Sequence, residues 1–182
     1  MFLTLLLFAV ALCSATAKDP RCEELLKPQE FNQVGPGKWI MHAFGGDKNY
    51  FQATKNVKSS WVKLTSTDEA NVYSAIKKMK IGDQCFVVEG QGLVHDNNMV
   101  TITWPGTVLE STPLVSNQGD VATFIADTQY GEGDMLVTNK NMFLFALEGT
   151  EVNKESIKHF KKQGRCAGMQ TRPLSSDDLC PE

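Results

Sequence analysis

Several things are missing from this sequence, and each absence removes a class of function. No Asn-x-Ser/Thr sequon occurs in its 182 residues, so N-linked glycans are not expected. No two cysteines stand at CxxC spacing, and His42, His95 and His159 are scattered, so no metal site and no cofactor is expected. A basic excess is lacking: 18 Lys and Arg face 21 Asp and Glu, for a net charge of −3. That balance argues against a nucleic-acid partner, because phosphate binding relies on clustered Lys and Arg. The small basic groups at Lys77, Lys78 and Lys80 and at Lys158, Lys161 and Lys162 read as solvated faces. Only residues 2–12 form a long apolar run, and it is shorter than the roughly 20 residues that span a bilayer. No repeat, low-complexity stretch or linker divides the chain, whose length fits one domain.

What is present begins at the N-terminus. Residues 2–12 are apolar except for Thr4, and Cys13-Ser14-Ala15-Thr16-Ala17 follows as a run of small residues ending in Ala-x-Ala. This is the pattern of a signal peptide over residues 1–17, with a mature domain over 18–182 that is secreted and extracellular. No Lys or Arg precedes the apolar run. Cleavage would remove Cys13 and leave Cys22, Cys85, Cys166 and Cys180. Four cysteines in an oxidising compartment predict two disulfides, with three possible pairings.

From residue 38 to 148 the chain reads as short β-like runs separated by turn residues: 38–44, 57–65, 72–79, 85–94, 99–104, 121–127, 135–138 and 142–148. Residues 107–119 are less regular, and Pro113 argues against a central strand there. The short turns require antiparallel neighbours, since a parallel crossover takes a dozen residues or more. Regular short strands of this kind form either a sandwich or a closed up-and-down barrel. Asn153 then reads as an N-cap, residues 154–163 as an amphipathic helix with Ile157 and Phe160 on its apolar face, and Gly164 as its C-cap. Residues 166–182 read as an extended tail held by Cys166 and Cys180.

Gly37-Lys38-Trp39, opening the first run, resembles the Gly-x-Trp signature of the lipocalins. Within that family Cys22, Asp83-Gln84-Cys85, Cys166 and the terminal Asp178-Leu179-Cys180 resemble the orosomucoid (alpha-1-acid glycoprotein) group and its fish relatives, the saxitoxin- and tetrodotoxin-binding proteins. The resemblance implies an all-β, eight-stranded up-and-down antiparallel barrel with one C-terminal helix packed outside. It also implies the pairings Cys22–Cys166 and Cys85–Cys180. Two further signatures depart from the family pattern. Thr-Asp-Tyr survives only loosely as Asp127-Thr128-Gln129-Tyr130, and Glu148-Gly149-Thr150 stands where an Arg is expected.

An eight-stranded barrel is just wide enough to hold one small ligand, with alternate residues facing inward. Alternation puts Val62 and Leu64 inside with Trp61 and Lys63 outside; Val100, Ile102 and Trp104 inside; Ala122 and Phe124 inside; and Leu144 and Ala146 inside, with Phe143 and Phe145 beneath the helix. By alignment with orosomucoid, the resemblance puts Tyr73, Ala75, Lys77 and Met79 on the inner face of the third run. Trp39 is expected to plug the barrel floor. The 45–56 loop, with Tyr50 and Phe51, is a candidate lid, Phe51 being its proposed ligand contact. Glu89 and Glu110 are the acidic candidates within strands, of undetermined facing.

The expected function is non-covalent carriage of a small, largely apolar molecule (lipid, steroid, odorant or pheromone, or toxin alkaloid) by a monomer without catalysis. A cell-surface receptor is a further partner to consider. Two alternatives stand beside it: a secreted immune-modulating or inhibitor protein acting through its loops, and a lipocalin-type isomerase using a free thiol.

Overall fold

The structure is a computed structural model, and it describes residues 20–29, 35–96, 99–131 and 136–182. The expected signal segment, 1–17, lies outside the described residues. The elements in chain order are α1 (Pro20–Leu25), β1 (Gly37–Gly46), α2 (Lys48–Ala53), β2 (Val57–Ser66), β3 (Val72–Ile81), β4 (Gln84–Val94), β5 (Val100–Trp104), β6 (Thr107–Leu114), β7 (Val121–Tyr130), β8 (Val137–Leu147), α3 (Lys154–Cys166) and β9 (Gln170–Pro173).

Strands β1 to β8 pair in sequence order, and β1 also pairs with both β8 and β2, which closes the sheet into an antiparallel up-and-down barrel. Closure leaves the barrel an inner face and an outer face, and each is covered differently. Outside, α3 lays Phe160 on Ala43, Met142, Leu144 and Ala146 of β1 and β8. Inside, Trp39, Val62, Leu64, Ala75, Val100, Trp104, Ala122 and Phe124 pack together from five strands.

Strand β1 does most to shape the seam. It pairs with β2 only from Gly37 to Ile40. At His42 a bulge shifts the register, so that Ala43 turns out to the helix while Phe44 faces the cluster beneath α2. Beyond the bulge β1 leaves β2, and β9 pairs along the freed edge from Ala43 to Gly46. Arg172 of β9 donates to the carbonyls of Thr54 and Val57 at the start of β2, Leu174 N–H donates to His42 O, and Ser175 N–H donates to Lys58 O. The expected extended tail is thus partly a ninth strand.

Three other expectations are corrected. Residues 107–114 form the barrel strand β6 despite Pro113. The carbonyl of Pro113 accepts from Gln29 N–H, so the side that would carry the missing N–H faces the edge toward the N-terminal segment rather than β7, where a proline removes no ladder bond. The runs 135–138 and 142–148 are not two strands: β8 continues through Asn139-Lys140-Asn141 because both polar ends are matched across to β7. Lys140 reaches Asp127 at 3.3 Å on the outside, and Asn141 Nδ2 donates to Thr128 Oγ1 at 2.5 Å in the interior. Asn153 caps α3 as expected, accepting from Ser156 N–H at 2.8 Å, but Gly164 lies within the helix. A Cβ there would stand 2.3 Å from Thr171 Cγ2, so Gly164 lets β9 approach; Gly168 at φ +71° makes the turn.

Both disulfides are formed as the resemblance implies, Cys22–Cys166 and Cys85–Cys180. The first fastens α1 to α3. The second fastens the tail to β4, and that tail crosses the outside of β2 and β3.

Candidate functional site: the barrel lumen

The lumen holds two adjoining chambers. The larger has a volume of about 70 Å³ for the centre of a water-sized guest, within about 680 Å³ of non-atom space that includes open solvent. A single water needs about 10–15 Å³ on the first measure, so the chamber takes a compact organic group. Trp39, Val62, Leu64, Val100, Ile102, Trp104 and Phe124 line it, as expected from alternation and the signature, together with Lys77. Tyr73 and Ala75 pack into the same inner cluster without lining the cavity.

The faces of β8 are the reverse of the expectation. Phe143 and Phe145 line the chamber, whereas Leu144 is 1 % exposed and Ala146 fully buried beneath α3. Every residue from Met142 to Ala146 is apolar, so alternation carries no sign there. Cross-strand register settles it, because Phe143 stands opposite Phe124 and shares its face. Phe51 is likewise corrected: it lies against Phe44, ring centroids 5.9 Å apart, and lines neither chamber. The 45–56 residues that reach the lumen are Tyr50 and Thr54. Alternation gave no sign of Met41, Leu109 and Ser111, which also line the larger chamber.

The smaller chamber lies beneath α2, lined by Phe44, Tyr50, Thr54, Val57, Ser60 and Met79. Met41, Lys77 and Phe143 line both chambers and form the waist between them. Helix α2 is held over this chamber by local and long-range bonds. Asp47 caps it, accepting from the N–H groups of Asn49 and Tyr50 at 2.9 Å each. Tyr50 stands beside Tyr130 of β7, and burial pushes both phenols above their usual range.

Among the described residues, Lys77 is the one ionisable side chain lining the larger chamber. Its neighbours in register, Val62 and Val88, are apolar, and so are Ala75 and Met79 on the same face of β3. Burial holds its ammonium below the ordinary lysine range, and no charge or hydrogen bond offsets that shift. The acidic candidates do not reach it. Glu89 pairs with Ile76 and Glu110 with Thr101, positions that alternate with the inward residues, so both carboxylates belong to the outer face.

Solved structures share this architecture. A siderocalin, Ex-FABP, matches at a TM-score of 0.58 with 16% identity, over 78% of this chain and 93% of its own. An odorant-binding protein matches at 0.61 with 16% identity, over 86% and 99%. Aphrodisin, a sex pheromone from female hamster, matches at 0.59 with 15% identity, over 81% and 99%. The barrel has the lipocalin fold. No family model and no curated protein matches the sequence.

In this lipocalin barrel the signature residues have a visible physical role. Gly37 adopts φ +139°, and a Cβ there would stand 2.7 Å from Leu147 Cδ1, so glycine lets β1 start flush against β8. Trp39 is 8 % exposed and its indole N–H donates to Gly35 O at 3.1 Å, so it closes one end of the lumen while also lining it. Where an Arg is expected, Glu148 instead pairs with Lys38 at 2.7 Å on the outer face.

Proposed function

We propose that this protein is a secreted lipocalin carrier that holds one small, largely apolar molecule in the lumen and performs no chemistry on it. The observation that carries this reading is the open apolar chamber itself. An eight-stranded barrel can be filled by its own side chains, and here space is left between Trp39, Trp104, Phe124 and Phe145. Burying a guest's apolar surface there contributes about 25 cal/mol per Å². The fold neighbours include an odorant-binding protein, a pheromone and a siderocalin of dual ligand specificities, which supports the same reading. The two disulfides support an oxidising, extracellular location, and their pairing supports the orosomucoid-group assignment. A thiol-based isomerase lacks its nucleophile among the described residues, since Cys22, Cys85, Cys166 and Cys180 are all bridged.

Native mass spectrometry of protein purified from its source fluid is the direct test, with a retained small molecule expected. Trp104→Asp or Phe124→Asp introduces a carboxylate into the larger chamber and is expected to abolish binding of an apolar fluorescent probe while the protein is still secreted. Unchanged probe affinity in both variants would overturn the assignment of the lumen as the binding site.

A further inference from the structure

Resting on the carrier reading, we propose that the guest carries a single anionic head, a carboxylate or a comparable monoanion, held by Lys77 at the waist between the chambers, with its apolar body in the larger one. The inference begins with hydrogen-bond donors. Four hydroxyl-bearing residues line the two chambers, and three of them direct their protons to backbone carbonyls. Ser111 donates to Val100 O at 2.9 Å, Ser60 to Lys78 O at 3.2 Å and Thr54 to Tyr50 O at 2.8 Å, while the Tyr50 phenol lies beside Tyr130. The Lys77 ammonium keeps its protons, with no hydrogen bond or ion pair to another described residue. A head group placed here therefore has to accept hydrogen bonds, and a charged acceptor gains most.

Charge selects in the same direction. A cation without a partner in an apolar cavity is costly, and an ion pair with good geometry offsets that cost. Among the described residues no carboxylate lines either chamber. A cationic guest, such as a guanidinium alkaloid, would meet a like charge and no carboxylate of the described residues. The toxin-alkaloid option is thereby the least favoured of the ligand classes expected from the sequence. Position adds the amphiphilic part of the inference. Lys77 borders both chambers, so a head group at its ammonium leaves the tail among Val62, Ile102, Trp104 and Phe124. The flexible Met41 and Met79 beside it can adjust to the tail's shape.

Isothermal titration of octanoate, octanol and octylamine into the full disulfide-bonded protein separates head-group preference from apolar binding. Octanoate is expected to bind about tenfold or more tighter than octanol, and octylamine weakest. Lys77→Met is expected to remove the octanoate advantage while octanol binds as well as before or better. Lys77→Gln provides a second neutral variant should the Met variant fail to fold. If octanol matches octanoate in the unaltered protein, or if octanoate keeps its advantage in a folded neutral variant, the anionic head is overturned while the carrier reading stands. If none of the three binds, the carrier reading falls and the head-group assignment with it.

Discussion

Lys77 and Lys78 are neighbours on β3, and the barrel wall sends them to opposite faces. On the outer face Lys78 donates to Pro181 O at 2.6 Å and its ammonium lies 5.4 Å from the centre of the Trp61 ring. Lys38 covers the same ring at 5.1 Å. Trp61, only 2 % exposed, donates its indole N–H to Cys180 O at 2.9 Å. The tail that supplies these partners also gives Asp178 O to the Ser59 hydroxyl and Glu182 to Lys63. The tail thus matches the polar groups it crosses on the outer face, as stability requires. In the lumen the Lys77 ammonium finds no such match among the described residues.

The largest way to break this contrast is to release the tail. Replacing Cys85 and Cys180 together by Ser is expected to cost about 4.7 kcal/mol, the loop-closure value for the 95-residue separation. Guanidinium unfolding with a fluorescence readout checks it. At low denaturant the lumen should still take an apolar probe, because the tail touches only the outer wall. A smaller break is Trp61→Ala, which removes a buried aromatic from beneath the tail. It should cost about 3 kcal/mol in the same assay and leave probe affinity within twofold.

The smallest effect sharpens the contrast, because its sign is opposite. Lys77→Met removes a poorly compensated charge and is expected to stabilise the folded protein by about 1 kcal/mol near neutral pH. The pH dependence follows from the lowered native pKa of Lys77. Between that value and the ordinary lysine value, the unfolded chain binds more protons than the folded one, so the contribution of Lys77 to stability rises with pH. The parent protein should therefore lose its deficit against Lys77→Met as pH climbs through that window. Paired denaturation curves at neutral and alkaline pH measure this; a deficit that stays constant or widens would contradict the buried, unpaired state of Lys77.

How much was legible beforehand depended on whether a residue's neighbours in sequence were also its neighbours in the fold. In β2, Lys63 beside Val62 and Leu64 marked the faces, and the structure agrees. In β8 the uninterrupted apolar stretch Met142–Ala146 carried no such mark, and its reading came out inverted. Pro113 suggested an irregular segment because the orientation of its missing N–H toward an open edge is set only once β6 is seated. Nothing in the local pattern separates the adjacent Tyr50 and Phe51, and only the packing of Phe51 against Phe44 leaves Tyr50 to enter the smaller chamber.

Local pattern alone determined the alternating strands, their short antiparallel turns, the capped C-terminal helix and the set of four cysteines. Each of these depends on interactions within a few residues, or on chemistry independent of place. Tertiary structure alone decided that β9 fills the seam left by the bulge at His42, which face of β8 lines the lumen, and that Lys77 has no counter-charge there among the described residues. Those outcomes depend on which strand lies alongside which, and a strand apolar on both faces has no preference of its own until its neighbours impose one.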